Sequence, residues 1–449
     1  MSKKNCTFAL AKVHVSIMKK YFLWMIACLP LMGWAETFTL RRCIDTAYVN
    51  SMDIRKQQLT GEQKELLYRQ AWYNLSPDVS GYIGENISFG RSIGVDNINR
   101  PQNISNTGIG VNASMMLFDG LAMKFNIDEA KANKLASDAN MEAVKRNVAL
   151  NITSLYLDVL LKKELAAVAA KQVEETERQV ARVNAKVEAQ RVPAGELYEI
   201  EAQFGKEQYQ LVQAQNNVQL ALLNLTQAMD IIYDADFDVV VPSEAELDEV
   251  LLPERDVVWV TALANRPEIR QAQYSLQAAE TALKSAKSAY SPSLTAQAGV
   301  STGYFHQIGS TNTAFGTQLA DNFTTNVGIN LAIPIYDRMH TPTQVKTKQI
   351  NVESAQLQLE QQKKTIRKEI DQAYYNALAA QSEMMSAAQA ERSSAEAERY
   401  ASEKFMAGRA TAYEYNAAKQ SHLQTLSSRL QARYNYLFKV RILEYYMGL

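Results

Sequence analysis

The second half of this chain repeats the first. Asp53-Ile54-Arg55 recurs as Glu268-Ile269-Arg270 and Ser76-Pro77 as Ser291-Pro292, both at an offset of 215 residues (268 − 53 and 291 − 76). Further on, Gly110-Val111-Asn112 through Leu117-Phe118-Asp119 recurs as Gly328-Ile329-Asn330 through Ile335-Tyr336-Asp337, at an offset of 218 (328 − 110). The register slips by three residues within one segment and holds on either side of it. Such a pattern describes one supersecondary module used twice, with a variable insertion in a loop. It divides the chain into a first repeat (36–229), an acidic linker (230–256) and a second repeat (257–449).

A chain of 449 residues has room for two or three domains, but the repeat argues for one pseudo-symmetric unit. The formal charge of −1 provides no basic field for nucleic acid. With only 18 Gly and 10 Pro, long uninterrupted helices are favoured. The start reads as an export signal over 1–35: Lys19-Lys20 precede the apolar run Tyr21 to Trp34, and Gly33-Trp34-Ala35 offers small residues for cleavage. Residues 1–17 read as an upstream extension, with Met18 an alternative start. About 14 apolar residues are too few to cross a bilayer of ~30 Å comfortably, which disfavours a membrane anchor. Cys28, after Met25-Ile26-Ala27, leaves a lipoprotein cysteine open as an alternative. Of the three cysteines only Cys43 lies beyond this leader, so no intramolecular disulfide is expected.

Four segments alternate with period two. Val79, Gly81, Ile83, Ile87 and Phe89 share one parity, with Glu85 the exception. Ile109, Val111, Ala113, Met115 and Leu117 alternate with Gly108, Gly110, Asn112, Ser114 and Met116. The second repeat gives Leu294 to Tyr304, and then Phe323, Thr325, Val327, Ile329, Leu331, Ile333 and Ile335. Alternation over about ten residues puts every apolar side chain on one face of a strand. The opposite faces carry small uncharged Gly, Ser, Asn and Thr. That suits transmembrane strands of ~9–11 residues, apolar toward lipid and polar toward a lumen. Val111, Ala113, Ile329 and Leu331 are then expected to face lipid, and Asn112, Ser114, Gly328 and Asn330 the lumen. A soluble antiparallel sheet with one face on a core is the alternative. The hairpins span about 79–118 and 293–336, and their polar connections, Gly90–Asn106 and Phe305–Asn322, suit an extracellular side. Small barrels begin near eight strands, so four strands require further chains to close.

Between the hairpins the chain reads as helix. Val144, Val148, Ile152, Leu155 and Val159 follow helical spacing, and Val173, Val180, Val183 and Val187 continue the stripe. No proline interrupts from Asp119 to Pro193, so one helix of about 70 residues would be ~105 Å long. Its counterpart is expected from about Thr343 to Met406, with Ile366, Ile370, Ala373 and Ala377 on its stripe. Shorter helices are expected at about 40–74 and 256–290 before the hairpins, and at about 196–229 and 411–447 after the long helices. The linker, with a strand-like run Phe237 to Val241, is expected to lie beside the helices without chemistry of its own.

The order of helix, β-hairpin, very long helix, turn and helix, repeated twice behind a signal peptide, resembles the TolC-like outer-membrane efflux factors. The likeness covers nearly all of the chain after the leader. It rests on Ser76-Pro77 and Ser291-Pro292 before the hairpins and on Met115 to Gly120 and Ile333 to Asp337 at their exits. The turns Gln190-Arg191-Val192-Pro193-Ala194-Gly195-Glu196-Leu197 and Gly408-Arg409-Ala410-Thr411-Ala412-Tyr413-Glu414-Tyr415 add to it. The fold this implies is α plus transmembrane β: a homotrimer with a twelve-stranded barrel in outer-membrane lipid, standing on an α-helical barrel that crosses the periplasm. The function it implies is a passive exit duct for efflux or secretion, docked on a periplasmic adaptor and an inner-membrane pump of RND or ABC type.

By the same resemblance the two turns are the periplasmic tips where an adaptor docks, through Gln190, Val192, Pro193, Gly408, Ala410 and Thr411. Gly408 fits a family glycine and Gln190 departs from it. The family's acidic gate positions fall on Glu196 and Glu414, related by the same offset of 218 (414 − 196), with Arg191 and Arg409 about a turn away. Both glutamates also sit where the helix dipole alone favours an acid. No catalytic, cofactor or metal site is expected. His14, His306, His340 and His422 are scattered, without metal-ligand spacing. A periplasmic coiled-coil adaptor without a pore is the competing reading; duplicated hairpins of barrel type weigh against it.

Overall fold

The computed structural model describes residues 38–93, 97–101, 103–241 and 252–448. The expected signal peptide and part of the linker, 242–251, lie outside the described residues. Each repeat opens with two helices rather than the single one expected: α1 (Leu40–Asn50) and α2 (Met52–Tyr73), and later α5 (Arg255–Asn265) and α6 (Pro267–Ser288). The breaks have local causes. Ser51 leaves the helical region, and its hydroxyl caps α2 by accepting from the Ile54 N–H at 3.5 Å. Arg266 precedes a proline, which disfavours helical backbone, and it takes an extended conformation. Pro267 then starts α6 at a position that needs no N–H.

The strands are β1 (Asp78–Ser88), β2 (Arg91–Ile93), β3 (Asn99–Pro101), β4 (Ile104–Phe118), β5 (Ser293–Gln307) and β6 (Thr324–Ala332). Four of them form one antiparallel sheet in the order β1-β4-β5-β6, and β2 and β3 make a small separate ribbon in the first connection. The duplication reaches the register. Asp78 pairs with Ser114 in the first hairpin, and their repeat equivalents Ser293 and Ala332 pair in the second. The last strand stops at Ala332, short of the expected Tyr336, because Pro334 has no N–H for a ladder. The second connection holds a short helix, α7 (Phe315–Asp321), that the polar composition did not predict. Its Gln318 amide acts as a strand would: it accepts from the Phe305 N–H and donates to the Phe305 carbonyl, both at 2.9 Å. Asn322 donates to the Gly303 carbonyl at 2.7 Å, so the outer part of β5, beyond its pairing with β6, is covered by side chains.

Each hairpin turns into a long helix through a left-handed corner. Gly120 and Leu121 (φ 69° and 75°) lead into α3 (Ala122–Glu188), and Arg338 and Met339 (54° and 66°) lead into α8 (His340–Met406). Asp119 and Asp337 close these corners, each carboxylate accepting from a backbone N–H of the first turn (Met123 and Thr341) at 2.7 Å. Gly120 is required on space as well, since a Cβ there would lie 2.6 Å from that of Ser291. Both long helices have 67 residues, about 100 Å at 1.5 Å per residue. The second begins three residues before the expected Thr343, because Pro342 in the first turn forfeits no intrahelical bond. After tight turns follow α4 (Ala194–Ala228) and α9 (Ala412–Met447).

Among the described residues three apolar clusters hold the helices together. One gathers Cys43, Ile152, Tyr156, Val159, Leu225 and Leu437 around the linker residue Val239; a second joins Val258, Ile269, Ile366, Ile370 and Leu443; a smaller third is Ala380, Tyr436 and Val440. The expected strand in the linker is a single parallel bridge, Phe38 to Val239, anchored by the Tyr156 hydroxyl donating to the Val240 carbonyl at 2.6 Å. The long stripe of α3 departs from expectation beyond Leu160. There Gln172 and Thr176 are buried, whereas Val173 is half-buried.

Removing either corner carboxylate, Asp119→Ala or Asp337→Ala, is expected to cost about 0.5–2 kcal/mol, the range of a lost helix cap. The effects should add in the double variant, since the two corners share no partner. Thermal unfolding followed by circular dichroism checks this; unchanged melting in all three variants would contradict the capping role.

Candidate functional site

The two helical turns expected as tips share one backbone geometry. Gln190 (φ 54°) and Gly408 (φ 70°) are both left-handed. In each turn the next residue's N–H reaches back to a carbonyl of the last helical turn: Arg191 to Lys186 and Arg409 to Lys404, both at 2.8 Å. This is the helix-ending motif that glycine serves best. The departure at Gln190 therefore changes the residue and not the conformation, at a cost on the order of 1–2 kcal/mol for a left-handed side chain. Val192 and Ala410 follow in the turns; Pro193 and Thr411 take the N-cap positions of α4 and α9.

Glu196 and Glu414 occupy the third helical position of those helices. Glu414 forms a capping box: its carboxylate accepts from the Thr411 N–H at 2.8 Å, while Thr411 Oγ1 accepts from the Glu414 N–H at 3.2 Å. The bonds from the Thr411 amide and hydroxyl, with a smaller pull from Lys404, hold the Glu414 carboxyl below its ordinary range. Proline at the N-cap gives Glu196 no such partner. Among the described residues, neither Arg191 nor Arg409 makes an ion pair within the chain, so the structure does not bring them to the two glutamates.

A polar network that the sequence reading missed lies farther up the helices. Lys419 on α9 and Glu207 on α4 are each only 1% exposed. Their charges lie 3.6 Å apart, and the ammonium donates to Thr176 Oγ1 on α3 at 2.7 Å. Glu207 also accepts from Gln172 at 3.0 Å, Gln203 at 2.6 Å and the Thr176 hydroxyl. The cluster ties α9 of the second repeat to the α3–α4 pair of the first. The signal in the sequence was the pair Gln172 and Thr176, four residues apart where the apolar stripe lapses. Nearby, His422 on α9 faces Glu398 with Nδ1 and Glu391 with Nε2 (3.3 Å), and Arg429 reaches Glu391 at 3.2 Å. Closer to the tips, Gln179 of α3 donates to the Tyr415 hydroxyl at 3.0 Å, and Phe405 stacks on Tyr415. An open groove of about 400 Å³ lies there between α3 and the α8–α9 pair, lined by Arg178, Arg182, Lys186, Phe405 and Tyr415.

The sheet has two chemically distinct faces. Directly opposed residues share a face, so Val79, Ala113, Ala298 and Val327 form one apolar row. Gly81, Val111 and Val300 form the next, while Ile329 aligns with Ala296 and Leu331 with Leu294. On the opposite face Asn112, Gly299 and Asn326 align, and a Cβ at Gly299 would lie within 2.8 Å of both asparagine oxygens. Ser114 and Asn330 belong to this polar face. Glu85, the exception in its strand, accepts from the Ser105 and Thr107 hydroxyls at the end of the apolar face nearest the hairpin connections.

Two outcomes are expected of the helical sites. Lys419→Met strands a buried carboxylate and should destabilise by about 3–5 kcal/mol, whereas Lys419→Met with Glu207→Met should recover most of that loss; chemical denaturation distinguishes them. The Glu414 cap contributes fully above the carboxyl's unfolded value, about 4.3, and is lost as pH falls through its lower folded value. Amide protection at the start of α9, taken relative to the intrinsic exchange rate at each pH, should therefore fall in acid below the ordinary carboxylate range in the native chain and be low at neutral pH in Glu414→Ala; equal protection in both at neutral pH would contradict the box.

The comparisons with known proteins agree with this architecture. The chain is 23% identical over 266 residues to the outer membrane efflux protein BepC of Brucella suis, a match covering 59% of this chain and 55% of BepC. It is 26% identical over 291 residues to the cation efflux system protein CusC of Escherichia coli K12, covering 60% of this chain and 58% of CusC. The matched segments thus span little more than half of either relative. In three dimensions the likeness is fuller. The crystal structure of CusC superimposes with a TM-score of 0.76 at 18% identity, covering 93% of this chain and 95% of that one. The outer membrane channel CmeC of Campylobacter jejuni gives 0.74 at 18% identity, covering 91% and 85%. The family model described as outer membrane efflux protein matches residues 43–230 and 258–449, one stretch in each repeat. The chain belongs to the outer membrane efflux protein family.

Proposed function

We propose that three copies of this chain form an exit duct through the outer membrane and across the periplasm. The observation that carries the reading is a four-stranded sheet, apolar on one face and open at β1 and β6, standing on helices about 100 Å long. Family members are trimeric channels that work with efflux pumps. Three such sheets give twelve strands, a barrel in which every strand edge is paired within the hydrocarbon. The face with Val111, Ala113, Ile329 and Leu331 then meets lipid, and Asn112, Ser114 and Asn330 line the lumen. The chain acts as a passive channel and performs no chemistry. A pore-free adaptor has no use for this sheet.

The tips are the proposed docking sites for a periplasmic adaptor that joins the duct to an inner-membrane pump. Gly408 to Thr411, Gln190 to Pro193 and the basic groove above them present the available surface. Glu196 and Glu414 are the proposed gate carboxylates, and they differ in freedom. Glu414 already serves its helix cap, so Glu196 is the freer carboxylate to project charge into a narrow opening. Among the described residues Arg191 and Arg409 make no ion pair, which leaves them available to a neighbouring subunit.

Planar-bilayer recordings of the purified protein should show discrete channels; a protein that never conducts and stays in the soluble periplasmic fraction would overturn the reading. Ile329→Arg near the bilayer midplane should destabilise assembly by ~2–4 kcal/mol, while Asn330→Arg should leave folding intact and change conductance. If Asn330→Arg alone blocks assembly, the faces are inverted. Neutralising Glu196 and Glu414 to Gln together should raise conductance or reduce cation selectivity; unchanged single channels would leave only the capping role.

A further inference from the structure

The internal repeat specifies the seam between subunits residue by residue. Helix α6 lies in a gap with α3 on one flank and α8 on the other. Its repeat equivalent α2 (offset 215, from Met52 to Pro267) packs on α3 as α6 packs on α8, and has no long helix on its other flank. The chain's own α8 is packed by α6 and α9 and leaves Ile350 and Leu357 exposed. Applying the repeat operation to the α6–α3 contact converts it into a contact between α2 and an α8 that only another copy can supply.

Exposure on both helices agrees with this transfer. On α2, Met52, Leu59, Leu66 and Tyr73 recur every seven residues on the bare side, with Leu59 50% and Leu66 63% exposed. Their equivalents on α6 are Pro267, Tyr274, Thr281 and Ser288, of which Tyr274 is half-buried and the rest buried. On α8, Ile350 and Leu357 are 56% and 66% exposed, while their equivalents on α3, Ala132 and Ala139 (offset 218), are buried. The same positions are covered in the contact the chain makes with itself and bare in the one it has yet to make.

Charge and direction agree as well. Within the chain, Arg270 of α6 pairs with Glu142 of α3, and Ser285 Oγ donates to Asn126 Oδ1 at 2.7 Å. The residue numbers run oppositely, so the helices are antiparallel. The repeat operation turns Arg270 into Arg55 and Glu142 into Glu360, the same residue types in both places. Ser285 and Asn126 become Gln70 and Gln344. Among the described residues Arg55 is hydrogen-bonded to Gln58 of its own helix, at 3.3 Å, and Glu360 is ion-paired to Lys363 of its own helix, at 2.8 Å.

We infer that α2 docks antiparallel on the α8 helix of the partner subunit. Leu59 lies against Leu357 of the partner subunit, Leu66 lies against Ile350 of the partner subunit, and Arg55 is ion-paired to Glu360 of the partner subunit. The occupant of this surface is a second copy of the chain, and the inference rests on the duct reading above. The exposed apolar stripe and the ion pair act together: the leucines exclude water, and the single charge pair fixes the slide of one helix along the other.

Disulfide trapping in membranes holding the full-length protein tests the seam. The double variant Leu59→Cys with Leu357→Cys, mildly oxidised, should give covalent dimers and trimers on a denaturing gel, and neither single variant should. Arg55→Glu should lower the fraction of detergent-extracted trimer severalfold, and Arg55→Glu with Glu360→Arg should restore it. Native mass measurement of the unmodified chain separates the two levels of the argument. A trimer whose cysteine pair never crosslinks between chains, or closes only within one chain, overturns the seam and leaves the duct intact. A stable monomer overturns both.

Discussion

A sheet whose outermost strands are unpaired governs this molecule. Within hydrocarbon every unpaired N–H and C=O costs several kcal/mol, so β1 and β6 cannot remain edges. The chain contains only four strands for its barrel, and closure has to come from copies of itself. That one requirement fixes the remaining arrangement. On its polar face the sheet needs glycine at 299, because Asn112 and Asn326 from the flanking strands fill the space a Cβ would take. Each strand must also join a helix of the same wall: α2 and α6 lead into β1 and β5, and β4 and β6 lead into α3 and α8.

The duplication makes such a wall economical to specify. One corner, built on an aspartate and two left-handed residues, appears twice and sends a 67-residue helix away from each hairpin. In the proposed trimer the order round the wall is α2, α3, α6, α8 and then the next α2, matching β1, β4, β5 and β6 above. The same operation that relates the halves of one chain relates one chain to the next. Sheet and helices are therefore one continuous lattice on a cylinder.

Much of this was legible in the sequence because its signals are periodic. Alternation identified the strands, and the repeat offset placed their equivalents. The scarcity of Gly and Pro implied the long helices, and Ile152, Val159, Ile366 and Ile370 on the predicted stripes are buried. What escaped was set by single residues or by contacts distant in sequence. The break at Ser51 depends on one hydroxyl reaching one N–H. The helix α7 is short, and its place depends on Gln318 meeting Phe305 in a neighbouring strand. Lys419 carries no local signal, because nothing near it in sequence shows that Glu207 and Thr176 surround it. At the tips, the turn conformation was readable from Gly408. The matching backbone at Gln190 was not, since its residue type argues against it.

Helices of this length are also levers. With α3 and α8 about 100 Å long and gripped by apolar clusters partway along, a pivot of about 5° displaces a free end 50 Å away by about 4 Å. Displacements of that size compare with the width of a side chain, yet at the grip they require sub-ångström shifts between packed residues such as Ile152 and Leu225. In the proposed duct the bore at the far end would thus follow packing distant from it. Substitutions around Val239 and Tyr156 would then alter passage through such a tube without touching anything that passes.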